Sequence, residues 1–250
     1  MYTELRQEGT ALAAPTSGGT PVLSQQLLLS IAEELKLPLL QIARQAELGQ
    51  LHGQAELPLI RTTAESALQL LDNYAMAVRL KLEPGQFTIE SVSISSVLYD
   101  AGQQLDALAK AYDVKLQLNI GGKFGPVQAH RQGLQAALVS LGAALIEALP
   151  AQSDQPQLKL ELAAHRSRYG IVAGVYSDIR QPSQEALQRG RELQRRSRQP
   201  MLGFSHTSAA GIFVADAILN AMQLSLKHSR HHGLYGLGAV LQPNYQLQLV

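Results

Sequence analysis

Residues Ser30 to Ile42 read SIAEELKLPLLQI, a run whose apolar members recur at helical spacing and which still holds a proline, Pro38, near its middle. The stripe extends both ways. Leu28, Ile31, Leu35, Leu39, Ile42 and Ala46 are three or four residues apart, which predicts a helix from about Ser24 to Gly49. After the connection GQLHGQAE, Ile60, Ala64, Ala67, Leu71, Tyr74 and Val78 alternate steps of four and three. They predict a second helix running to about Leu82, stopped by Glu83-Pro84-Gly85. Two long helices joined by a short loop form an antiparallel hairpin. One hairpin covers only part of its two stripes, so either a second copy completes a four-helix bundle or the hairpin packs as a monomer on the rest of the chain. In the bundle, Leu35, Leu39, Ile42, Ile60, Ala67, Leu71 and Tyr74 form the dimer interface.

Downstream of the hairpin the period changes. FTIESVS predicts a short strand, Ile94 to Tyr112 a helix and Lys115 to Ile120 a strand. HRQGLQAALVSLGAALIEAL predicts a helix with Leu134, Leu138, Leu141 and Leu145 turned inward, and LKLELAAHRSRYGIVAGVYSD predicts two strands turning near Ser167. A polar, arginine-rich segment precedes the helix SAAGIFVADAILNAM, and QLSLKHS, GLYGLGAVLQP and YQLQLV read as closing strands. KHSRHH, Lys227 to His232, reads as a turn between strands; its adjacent histidines lack a third spaced ligand, so no metal is assigned. The order gives an α+β chain: a tail over 1–20, a helical hairpin over 21–84, and a two-layer α/β sandwich with a mixed sheet over 85–250.

Composition narrows the function classes. The 250 residues carry a net charge of +1, so no nucleic-acid partner is implied by the total. Cysteine is absent, which removes disulfides, thiolate metal sites and thiol catalysis. No apolar run reaches a membrane span, and the start lacks the basic and apolar regions of a secretory leader, so the cytoplasm is the expected location.

A helical hairpin followed by β-α-β, a helix, two strands, a variable loop, a helix and final strands resembles the sensor histidine kinases of two-component systems. The resemblance spans about Ser24 to Val250. The family's phosphoacceptor box is His-Glu-Leu-Arg/Lys-x-Pro-Leu, and EELKLPL, Glu33 to Leu39, is similar to it at six of seven places, including Glu34, Leu35, Lys36, Pro38 and Leu39. Glu33 stands where the phosphorylated histidine would be. A neutral imidazole nitrogen is the nucleophile of that reaction, oriented by a carboxylate such as Glu34. Pro38, one turn further on, is the residue that bends this helix in the family.

The second part resembles the family's ATP-binding domain, of the gyrase, Hsp90 and MutL type. Its asparagine box would lie on SLGAALIEA, where Ser140 and Ala144 take the two asparagine places; the second asparagine binds magnesium, which a methyl group does not. Of the Asp-x-Gly-x-Gly box, SDIRQPS keeps Asp178, with Arg180 and Pro182 replacing glycines. Of the last glycine box, TSAAGIF keeps Gly211, behind Ser208 as a candidate helix cap. The segment matching the ATP lid holds Arg189, Arg191, Arg195, Arg196 and Arg198, read either as an anion site or as a solvated loop.

The resemblance therefore implies a degenerate, pseudokinase-like protein: a homodimer that binds a response-regulator receiver domain or a true histidine kinase without autophosphorylation and without cofactor. One alternative is a divergent kinase or ATPase that still binds ATP and magnesium. Another is a histidine phosphotransfer protein, which needs an exposed histidine; His52, in the hairpin loop, is the hairpin's single histidine.

Overall fold

The computed structural model describes residues 39–40, 42–49, 57–82, 88–152, 158–178 and 209–244. Residues 39–40 and 42–49 are helical and form α1. The other helices are α2 (Leu57–Leu82), α3 (Ile94–Ala111), α4 (Arg131–Gln152) and α5 (Ala209–Ala221). The strands are β1 (Glu90–Val92), β2 (Val114–Ile120), β3 (Val127–Ala129), β4 (Leu158–Ser167), β5 (Gly170–Ser177), β6 (Leu226–His231) and β7 (Leu234–Leu241). The expected domain boundary at 84 and 85 and the expected strand YQLQLV lie outside the described residues.

Five strands form one sheet in the order β2-β4-β5-β7-β6. β2 and β4 are parallel, with Val114 opposite Leu158, and the chain crosses between them through α4; the remaining pairs are antiparallel. Period-two alternation turns Leu158, Leu160, Leu162 and Ala164 of β4, and Ile171, Ala173 and Val175 of β5, toward the helices. α3 meets them with Ile94, Val97, Leu98, Ala101, Leu105 and Leu108, spaced for one helical face. The helical layer lies on one face of a mixed sheet, the two-layer architecture the sequence predicts.

Leu134, Leu138, Leu141 and Leu145 of α4 are buried as expected, but so are Ala136, Ala137, Val139 and Ser140. This helix is enclosed on nearly every side because a second layer covers it. α2 packs on α3, α4 and α5: Ala77 and Leu80 are buried, and Leu70, Tyr74 and Met76 pack on the core. The second hairpin helix is thus docked on its own chain, while Leu57, Leu68 and Leu71 on it remain exposed.

Two expectations need correction. β3 is a strand the sequence reading lacks: it pairs antiparallel with β1, Ser91 opposite Gln128, and makes a separate two-stranded sheet. Three residues following Gly125-Pro126 are too few to display an alternation. KHSRHH is not a turn: Lys227 to His231 continue β6, opposite Gly238 to Leu234. The reversal is confined to His232 and Gly233, at φ 47° and 83°, the two positive values of the tight hairpin turn.

Candidate functional site

Three of the predicted nucleotide-site positions come together. α5 begins against α4 so closely that a Cβ on Gly211 would lie 2.6 Å from the Ser140 carbonyl oxygen and 2.8 Å from Ala144 Cβ. Ser140 and Ala144, one turn apart on α4, face this contact. The glycine and the alanine methyl are here what permits two helices to touch.

The Ser140 hydroxyl is occupied by a residue the sequence reading missed. Asn73 of α2 is buried and donates through Nδ2 to Ser140 Oγ at 2.8 Å and to the Ala136 carbonyl at 3.3 Å, while its Oδ1 accepts from Gln69 Nε2 at 2.9 Å. Both amide hydrogens and the oxygen have partners, so the amide is satisfied without water. Its one sequence signal is an asparagine beside Tyr74 in an otherwise apolar stripe.

Beside this bond a cavity of about 250 Å³ opens between α2, α3 and α4 and reaches Gly211. Ser66, Ala67 and Leu70 of α2, Leu108 and Tyr112 of the α3 end, and Ala143 and Glu147 of α4 line it, with Ser140 and Ala144. Burial raises the Glu147 carboxyl from its ordinary 4.5 to about 7, opposed by a hydrogen bond from the Ser66 hydroxyl. Among the described residues lining the cavity, the charged side chains are Glu65 and Glu147, and none is basic.

The other predicted positions lie elsewhere. Asp178 follows β5, does not line this cavity, and its buried Oδ1 has no hydrogen-bond partner among the described residues. Glu33, Glu34, Leu35, Pro38, His52, Ser208 and the arginines of 189–198 are outside the described residues. Of the interface positions, Leu39 is exposed, Ile42 and Ile60 face a second cavity together with Leu48, Thr63 and Tyr112, and Ala67 lines the first. Tyr74 is half-buried against the core, with its hydroxyl pKa raised by burial, and Leu71 is exposed.

The sheet face away from the helices carries a second polar group. Tyr176 is fully buried there; burial raises its hydroxyl to about 12, and it donates to Ser229 Oγ at 3.2 Å. His231 stacks on His165 at 4.8 Å and on His232 at 4.0 Å between ring centroids. Burial first, then the neighbouring imidazoles, lowers the pKa of His165 and of His231; Glu161, 3.5 Å from His231, opposes this at His231. No three His, Asp or Glu among the described residues are arranged to hold a metal ion.

No protein-family model matches the chain, and no curated protein does. Solved structures do. The histidine kinase AdeS of Acinetobacter baumannii superposes with a TM-score of 0.53 at 14% identity, over 84% of this chain and 98% of that one. Full-length ShkA, solved in complex with AMPPNP, gives 0.53 at 14% identity over 88% of this chain and 46% of that one. At such identity the likeness establishes the fold, and the chain has the histidine-kinase ATPase-like fold. No helix among the described residues is long and apolar enough to cross a membrane.

Proposed function

We propose that this chain is a catalytically degenerate histidine-kinase-like signalling protein, which dimerises and binds a two-component partner, a receiver domain or a true kinase, without phosphorylating itself. The observation that carries the reading is the Asn73 to Ser140 hydrogen bond, which commits the hydroxyl at one asparagine place to the chain's own hairpin helix. At the second place Ala144 offers no oxygen for magnesium and sits against Gly211. No described residue that lines the adjoining cavity is basic, so the cavity offers a triphosphate no counter-charge. The described residues at the two asparagine places, Ser140 and Ala144, do not fit Mg-ATP.

Calorimetry with millimolar Mg-ATP tests this, together with radiolabel transfer from ATP. The expected outcome is neither binding heat nor label, alongside saturable binding to receiver domains of the same organism. Magnesium-dependent ATP binding that disappears in Asp178→Ala would replace this reading with the divergent ATPase. That second reading is favoured by one observation, the buried Asp178 Oδ1 just after β5, which has no hydrogen-bond partner among the described residues and matches the aspartate of the family's adenine-contacting box. Phosphate recovered on His52 after incubation with a phosphorylated receiver would instead make the chain a phosphotransfer protein.

A further inference from the structure

We propose that the cavity between α2, α3 and α4 binds a small organic monocation with an apolar body, an amine or amidine, whose charged head pairs with Glu147. The volume, about 250 Å³, suits a ligand smaller than a nucleotide. Leu70, Leu108 and Tyr112 supply apolar wall, and Gln69 and Gln104 supply polar groups for orientation.

The cavity chooses the sign of its ligand through its charged groups. Glu147 on α4 is largely enclosed, and among the described residues its side-chain hydrogen bond comes from the neutral Ser66 hydroxyl. The same cavity is lined from α2 by Glu65, itself paired with Arg61 at 2.7 Å, from the end of α3 by Tyr112, and from α5 by Gly211, which brings no charge. Arg61 is not among the lining residues. A carboxyl desolvated with no counter-ion among the described residues holds its proton until a cation arrives, and an entering ammonium or amidinium replaces that proton and recovers the lost electrostatic stabilisation. An anion finds no basic side chain among the described lining residues and favours the protonated, neutral form of Glu147, and a neutral ligand leaves Glu147 as it was. A ligand seated here touches α2, α3 and α4 together, so it stabilises the docked hairpin helix.

The test is calorimetry on the full chain with benzamidine, cationic throughout the range used, and benzamide, its neutral counterpart. Benzamidine is expected to bind in the millimolar range or tighter. Its affinity should rise about tenfold from pH 6 to pH 8, as a carboxyl titrating at about 7 ionises. Benzamide should bind more weakly at pH 8, and Glu147→Gln should remove both the preference and the pH dependence. Ala143→Leu, which fills the cavity and leaves the charge in place, should abolish binding even if the Glu147 variant fails to fold. Equal affinity for the two probes, an affinity independent of pH, no binding of either, or binding that survives Ala143→Leu would each overturn the proposal.

Discussion

Glu147 links ionisation to stability. Between pH 4.5 and about 7 the folded chain keeps a proton at this carboxyl that the unfolded chain has released, so stability falls as pH rises through that window. The full displacement corresponds to at most about 3 kcal/mol above it. Glu147→Gln keeps the shape and removes the ionisation. It is expected to raise the melting temperature by several degrees at pH 8 and to leave it nearly unchanged at pH 4, measured by scanning calorimetry at both. A gain of equal size at both pH values would show that packing, not charge, is responsible. Asn73 works in the opposite sense. Asn73→Ala leaves the Ser140 hydroxyl and Gln69 without their buried partner, with an expected loss of about 2 kcal/mol by denaturant titration. A loss below about 0.5 kcal/mol would mean that α2 is held by its apolar contacts alone.

The contact between α4 and α5 rests on the absence of atoms. Gly211→Ala would place a methyl 2.6 Å from a backbone oxygen, and a helix backbone cannot yield as a side chain does. The start of α5 must move, with an expected loss of about 1–3 kcal/mol by denaturant titration. A neutral result would show that α5 slides freely, and the retained glycine would then need another explanation. The same elements show what a sequence conveys. Leu134, Leu138, Leu141 and Leu145 are spaced for one face, so α4 was legible; the burial of its opposite face was not, because alanines and serine suit a solvated face and a covered one equally well. β3, three residues long, has no period to read. The site divides in the same way: Ser140, Ala144 and Gly211 were found by their spacing against a family pattern, whereas Asn73 bonds to a residue 67 positions away, a separation at which local pattern holds no information.

At the scale of the whole molecule, the question is what the hairpin does with two stripes when one helix has already found a partner. α2 spends Leu70, Asn73, Tyr74, Ala77 and Leu80 on its own chain, which satisfies part of the stripe that a bundle would use. Leu57, Leu68 and Leu71 are left at 66%, 60% and 38% exposure, and Leu39, Leu40 and Leu48 of α1 at 60%, 57% and 38%. Six large apolar side chains on two helices of one hairpin are more than an isolated surface carries without a reason. A second copy related by a two-fold axis would cover both sets with the same patch from each partner. Light scattering at tens of micromolar is therefore expected to give twice 27.0 kDa, 54.0 kDa, for the native chain. Leu71→Glu introduces a charge at the remaining stripe without touching the docked face, so it should shift the mass toward 27.0 kDa while the melting profile of the α/β layers stays in place. A native chain that runs at 27.0 kDa would leave α2 docked as described and remove the bundle. A dimer indifferent to Leu71→Glu would move the interface off this helix, to a surface outside the hairpin stripe.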